Sequence, residues 1–321
     1  MRVRQPLTAL ALSLSLVSAA QANDFVFGHI YEASHSHHKW AQWAAEEIEK
    51  RSEGRHTVEV FPSSQLGNEV ELNEGLDLGV VDIIYTGNAF AGNAYPPIAL
   101  GSAPFVFRDF DHWLAYANSD LFQELAQGYE DTTGHVPLGL IYFGQRHVTA
   151  NEPKLTPDDM QGMKIRVPDA PLLLMFPRAV GANPTPIAFS EVYLALQQGV
   201  VDGQENPLPI IQAMKFDEVQ SDISLTGHIF DSQPIIMSGD AWSQLSEEDQ
   251  TMFRDVFREA GEQGSLDIQQ QEQALVSWFE ENGTRVHEVD RAPFAELVRP
   301  YLTADDVGWS VEQLERLEAI E

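Results

Sequence analysis

Short apolar segments of strand length alternate with helix-period segments through the first two hundred residues, and that alternation restricts the chain to an α/β architecture. Phe25-Val26-Phe27-Gly28-His29-Ile30 reads as a strand ending at Gly. The spacing of Trp40, Trp43, Ala44 and Ile48 then predicts a helix over Ser36 to Arg51, stopped by Gly54. His56 to Phe61 alternates Val58 and Val60 with polar residues, as a strand does, and a turn-rich loop occupies 62–67. Glu69 to Leu78 follows as a helix closed by Gly79, and Val80 to Tyr85 as a buried strand. In such sheets ligands are expected at the carboxyl ends of the strands.

A local pattern recurs. Leu76-Asp77-Leu78 runs into Gly79-Val80-Val81-Asp82, and Leu194 to Gln198 runs into Gly199-Val200-Val201-Asp202. The same helix–Gly–Val–Val–Asp turn in both halves suggests two lobes of related build. Tyr142 to Arg146 reads as a strand crossing between them, with hinges near Gly144-Gln145 and Asp231-Ser232. The expected division is 23–144 plus 232–271 for lobe I and 145–231 plus 272–321 for lobe II. Ser246 and Asp249 form a capping box that opens a long helical tract, which ends at Asn282-Gly283. Gly261 and Gly264 lie inside it as points of bending or breakage.

The 321 residues include 49 Asp and Glu against 19 Lys and Arg, for a net charge of −30, and no Cys. Nucleic acid and anionic membrane surfaces are excluded as partners, because both need a basic footprint. The missing cysteines exclude disulfides, thiol nucleophiles and Cys-based metal centres. A carboxylate-rich, lysine-poor surface suits a saline habitat, and unfolding below 0.1 M salt would test that hypothesis. Arg2 and Arg4, the apolar run Leu7 to Val17 and the small-x-small site Ala20-Gln21-Ala22 read as a secretory signal peptide over 1–22, cleaved after Ala22. Export to the periplasm without insertion in the membrane follows as the expectation.

No nucleophile elbow, phosphate loop or dinucleotide fingerprint is present, and no catalytic set stands out. His35, His37 and His38, with His29 nearby, have two readings: a metal site or a polar helix start. The latter is preferred, because adjacent His37 and His38 point different ways on a helix. Arg166 lies in the apolar-flanked strand Met163 to Pro168. A buried Arg needs a carboxylate, either an internal Asp or Glu or one brought by a ligand. Asp202 to Pro207 forms a polar loop at the end of a buried apolar segment, where an α/β ligand site is expected.

Several longer motifs occur in one order: Pro-Ser-Ser-Gln-Leu-Gly (62–67), Ala-Pro-Phe-Val-Phe (103–107), Pro-x-Asp-x-x-Gly-x-Lys-Ile-Arg-Val-Pro (157–168), Gly-Ala-x-Pro-Thr-Pro (181–186), Phe-Ser-Glu-Val-Tyr-x-Ala-Leu-Gln (189–197) and Val-Asp-Gly-Gln-Glu-Asn-Pro (201–207). Together they resemble the extracytoplasmic solute-binding proteins of tripartite ATP-independent periplasmic (TRAP) transporters, over essentially the whole chain after the leader. The resemblance implies a two-lobed periplasmic-binding-protein fold, with two mixed sheets flanked by helices and a long helix spanning both lobes. It implies capture of an organic acid without catalysis, cofactor or metal, and delivery to small and large permease subunits by a monomer.

By the same resemblance Arg166 pairs with the ligand carboxylate, Arg146 adds positive potential, Asn206 offers an amide and Phe189 lines the site. Sialic-acid-binding members carry an Asn where this chain has Ile30 and an acid where it has Gly87. That departure points to a smaller hydroxylated acid, a hexuronate such as glucuronate or galacturonate, or an aldonate, read by Glu69, Asn88, His29 and His37. The alternatives are a C4-dicarboxylate, a 2-oxo acid or sialic acid, and, in another class, an exported sensor, metal-binding protein or enzyme.

Overall fold

The computed structural model describes residues 23–321, so the expected signal peptide and its cleavage after Ala22 lie outside the described residues. Nine strands form it: β1 (Asn23–Gly28), β2 (His56–Phe61), β3 (Ile83–Tyr85), β4 (Val136–Ala150), β5 (Lys164–Val167), β6 (Asn183–Pro186), β7 (Gly203–Pro207), β8 (Asp222–Met237) and β9 (Arg285–Glu288). They join in the order β2-β1-β3-β8-β4-β7-β5-β6, with β9 on β8. The fold is α/β and the sheet is mixed: β1 runs parallel to β2 and β3, β5 to β6 and β7, and β4 antiparallel to β8 and β7.

In place of the two separate sheets expected, one continuous ladder crosses the molecule. The reason lies in β4 and β8, which pair with each other from Val136↔Met237 to Ala150↔Asp222. One end of this pair carries β3 through Ile235 to Met237, and the other carries β7 through Arg146 to Ala150. Each lobe is therefore an α/β unit built on one end of the same ribbon. Between the ends, the register shifts at Tyr142/Gly144, where Gly144 adopts φ 127° opposite Asp231. Two further register shifts lie at Pro137/Gly139 and Arg146/Val148.

The repeated turn is structural in both lobes. Gly79 and Gly199 close their helices in the left-handed conformation, φ 66° and 67°. The next residue, Val80 or Val200, stands on the surface, and Val81 and Val201 are buried. Asp82 and Asp202 then each clasp a neighbouring strand by two hydrogen bonds: the Oδ2 atoms accept from Val26 N and Lys164 N, both at 2.8 Å, and the backbone N–H groups return to Val26 O and Lys164 O. Consequently the strand expected over Val80 to Tyr85 is shorter and begins at Ile83.

The helix Glu247–Glu281 runs unbroken for 35 residues, through both glycines. A Cβ on Gly261 would meet Leu140 O at 2.5 Å, and one on Gly264 would meet the Ile141 side chain at 2.5 Å. These glycines let the helix lie against β4, at a cost of about 1 kcal/mol each in helix propensity. At its start Asp249 pairs with Arg55 beside β2. Farther along, Asp267 accepts from Ser36, Lys39 and Trp40 at the head of the helix Ser36–Arg51. The helix then packs on β9 and the helix Leu208–Ala213, and so spans both lobes.

Candidate functional site

The two lobes enclose a cavity of about 300 Å³. It gathers the carboxyl ends of β5 and β7, the crossing segments of β4 and β8, and the start of the helix Glu69–Leu78. Of the residues singled out in the sequence, Arg166, Arg146, Asn206, Glu69 and Phe189 lie on its wall.

Arg166 is 2% exposed. Its Nε and Nη2 both donate to Ile187 O, at 2.9 and 2.7 Å, while Nη1 is buried with no partner. Among the described residues no carboxylate forms a salt bridge with it, which removes the internal-bridge reading. Burial pulls the guanidinium down to about 9, with Glu205 and Glu69 opposing the shift and Arg146 adding to it. A buried cation with an open donor edge favours a bound anion.

Arg146 is differently placed, and the expectation that it lends positive potential is corrected here. Glu205 takes it bidentately, Nε–Oε2 at 2.5 Å and Nη2–Oε1 at 2.7 Å, and Asp231 Oδ2 takes Nη1 at 2.9 Å. Asp231 Oδ1 accepts from Ser102 Oγ, and His228 Nε2 lies 3.1 Å from Glu205. Burial by itself would raise Glu205, but Arg146 and His228 bring its carboxyl down to about 2. The charge of Arg146 is thus balanced by two carboxylates, and its guanidinium works as a strut between the β4 crossing, β7 and β8.

Asn206 commits an N–H to Gln204 Oε1 at 2.6 Å, and Gln204 in turn donates to Thr149. Glu69 Oε1 accepts the Gly87 N–H at 2.6 Å. The residue is half-buried, and its carboxyl stands at the cavity wall. Burial raises it to about 7, helped by Asp231 and opposed by the Gly87 hydrogen bond, Arg146 and Arg166. Phe189 stands across from Tyr31, their rings 6.3 Å apart.

Asn88, His29 and His37 are not brought to the cavity, contrary to expectation. Gly87 turns its backbone to Glu69, so Asn88 faces inward, toward Gly101 and the Tyr116 hydroxyl. His29 Nε2 lies 3.1 Å from His38 Nδ1, and its Nδ1 accepts the Tyr31 N–H. His37 sits behind the wall among the rings of Tyr31, Tyr85 and Phe143. Among the described residues no group of three or more His, Asp or Glu is arranged to hold a metal ion.

Among the wall residues that the sequence reading did not assign to the site are Tyr31, Asp231 and Gln233. Gln233 is 4% exposed, and its Oε1 is buried without a partner. Strand periodicity held the clue, since Asp231 and Gln233 share a face of β8 just beyond the crossing.

Residues 27–305 match the family model described as bacterial extracellular solute-binding protein, family 7. The chain is 37% identical over 260 residues to the sialic acid-binding periplasmic protein SiaP of Vibrio cholerae, covering 81% of each. It is 30% identical over 282 residues to the 2,3-diketo-L-gulonate-binding periplasmic protein YiaO of Escherichia coli, covering 87% of this chain and 85% of that one. In three dimensions it resembles a TRAP periplasmic solute-binding protein from Roseobacter denitrificans with bound L-galactonate, at TM-score 0.86 and 31% identity over 93% of this chain and 99% of that chain. A family match of this extent, on a chain whose two lobes meet around a buried, unpaired arginine, shows that it belongs to the bacterial extracellular solute-binding protein family 7, the periplasmic solute-capturing components of TRAP transporters.

Proposed function

We propose that the protein captures a sugar acid with a single carboxylate, a hexuronate such as glucuronate or galacturonate, or an aldonate. The observation that carries this reading is the free Nη1 edge of Arg166. It is the one guanidinium edge at the cavity without a carboxylate of its own among the described residues, so the site offers a berth for one anionic group. Around it Glu69, Gln233 and Asn206 supply polar atoms suited to hydroxyls. A C4-dicarboxylate would bring its second charge toward Asp231 and Glu205. Ile30 and Gly87 leave little to hold the long polar tail of sialic acid. The galactonate-bound relative and the diketogulonate-binding one support the same class.

Capture proceeds by closure of lobe I (23–144 plus 232–271) on lobe II (145–231 plus 272–321), about Gly144-Gln145 and Asp231-Ser232. The mature protein begins at Asn23 after cleavage behind Ala22. It acts as a monomer and passes its ligand to the small and large membrane subunits of a TRAP permease. A thermal-shift panel of galacturonate, glucuronate, galactonate, succinate, a 2-oxo acid and sialic acid tests the ligand class. Stabilisation by the sugar acids above the others is expected; a shift with succinate or sialic acid alone would overturn it.

A further inference from the structure

Glu69 sits in a charge balance that a bound anion must upset. Glu205 and Asp231 are both spent on Arg146, leaving that trio with an excess negative charge that the cation of Arg166 offsets. That set of four is then neutral before Glu69 is counted, and Asp169 and Glu71 add further acids to the wall. A ligand carboxylate on Arg166 makes the set negative by one, and an ionised Glu69 would make it negative by two inside a cavity poorly screened by water. The groups facing Glu69 are Tyr31 from the loop after β1, Arg146 from β4, Arg166 from β5 and Asp231 from β8. The Gly87 N–H and the Gln233 amide flank it, and Asp169 lies at the rim. Within its own turn Glu71 also borders the cavity, its Oε2 accepting the Asn68 N–H. No further cation is among these neighbours to compensate a second negative charge.

The geometry leads us to propose that Glu69 holds the ligand as a neutral acid: with Oε1 taking the Gly87 N–H, the other carboxyl oxygen carries a proton and donates it in a hydrogen bond to a ligand oxygen. Capture of the anion therefore takes up a proton with it. This deepens the sugar-acid reading and rests on it. A neutral donor at this end of the cavity selects a hydroxyl or carbonyl oxygen there and disfavours ammonium groups, which would need the ionised form. The free carboxyl already stands raised to about 7, and a ligand anion can only push it higher. Affinity is then full below that value, falls as pH climbs above it, and levels off beyond the bound-state value.

Calorimetric titration of the full chain with L-galactonate, in phosphate and in Tris at pH 8, counts the protons exchanged. Uptake of up to about one proton is expected, with Kd rising by as much as about tenfold per pH unit above neutrality. Glu69→Gln should abolish both the uptake and the pH dependence. Binding with equal heats in both buffers and a flat Kd from pH 6 to 9 overturns the proposal, as does uptake that survives in Glu69→Gln. If that variant binds too weakly to titrate, the carboxyl ¹³C signal of Glu69 in the wild type decides. Its midpoint must move upward when the ligand saturates the protein, and an unmoved midpoint refutes the idea. Failure of every sugar acid to bind is a separate outcome, which refutes the ligand class itself.

Discussion

Gln145 donates its backbone N–H to Glu272 Oε1 at 2.6 Å, so the long helix grips the crossing strand one residue beyond Gly144. At Gly144 the backbone is left-handed, φ 127°, and a Cβ there would meet Pro207 and lie 2.8 Å from Glu272 Oε1. Gly144→Ala should therefore destabilise the protein by about 1–3 kcal/mol, through strain and crowding together. It should also alter the balance of open and closed forms. A thermal melt and scattering profiles with and without ligand check both effects; a melt like the wild type would show that the crossing strand tolerates a side chain there.

Glu272 carries a consequence for stability against pH. Burial pushes its carboxyl up to about 8, with the Gln145 and Tyr142 hydrogen bonds opposing the shift. A carboxyl raised in the folded state binds its proton more tightly than the unfolded chain does. Its contribution is fully present below the ordinary Glu value and is lost as pH rises from there to about 8. Glu272→Gln, which keeps an acceptor for Gln145, should lessen the fall in melting temperature between pH 5 and pH 8. Parallel wild-type and mutant curves over that range would contradict the assignment.

The two arginines should separate binding from folding. Arg166→Lys loses the planar fork on Ile187 O and the oriented Nη1, and should weaken ligand binding by about 10–100-fold. The fold should change little, since no carboxylate depends on that side chain. Arg146→Lys breaks the bidentate hold on Glu205 and leaves buried acids poorly paired. Removing Arg146 altogether should cost about 3–5 kcal/mol of stability. Calorimetry and denaturant melts on the variants distinguish the two roles, and equal losses of stability would sink the contrast.

What the sequence disclosed follows the range of the interactions. The helices Ser36–Arg51 and Glu69–Leu78 have the bounds read from the sequence, because caps and glycine stops act within a turn. The match between Asp82 and Asp202 was visible as a repeated turn for the same reason. The environment of Arg166 was not, since it rests on a carbonyl 21 residues away, and that of Arg146 rests on Glu205, 59 residues away. Asn88 misled because its neighbour Gly87 presents backbone, not side chain, to the cavity. The joining of the sheets was hidden as well, because the β4–β8 pairing spans more than seventy residues of sequence.

Gln233 offers the sharpest test of what the far end of the cavity reads. Its Oε1 is buried without a partner, and a Cβ on Gly87 would stand 3.5 Å from both its Nε2 and Glu69 Oε1. A buried acceptor without a partner is costly, and a ligand hydroxyl donating to it would recover that cost. Gln233→Leu keeps the volume and removes the polar atoms. It should therefore weaken galactonate by about tenfold or more, the value of a hydrogen bond to a buried group. A short monocarboxylate such as butyrate, which has no hydroxyl to offer, should bind the variant and the wild type alike. An equal loss for both acids would place the effect on the shape of the cavity, and an unchanged galactonate affinity would remove Gln233 from recognition.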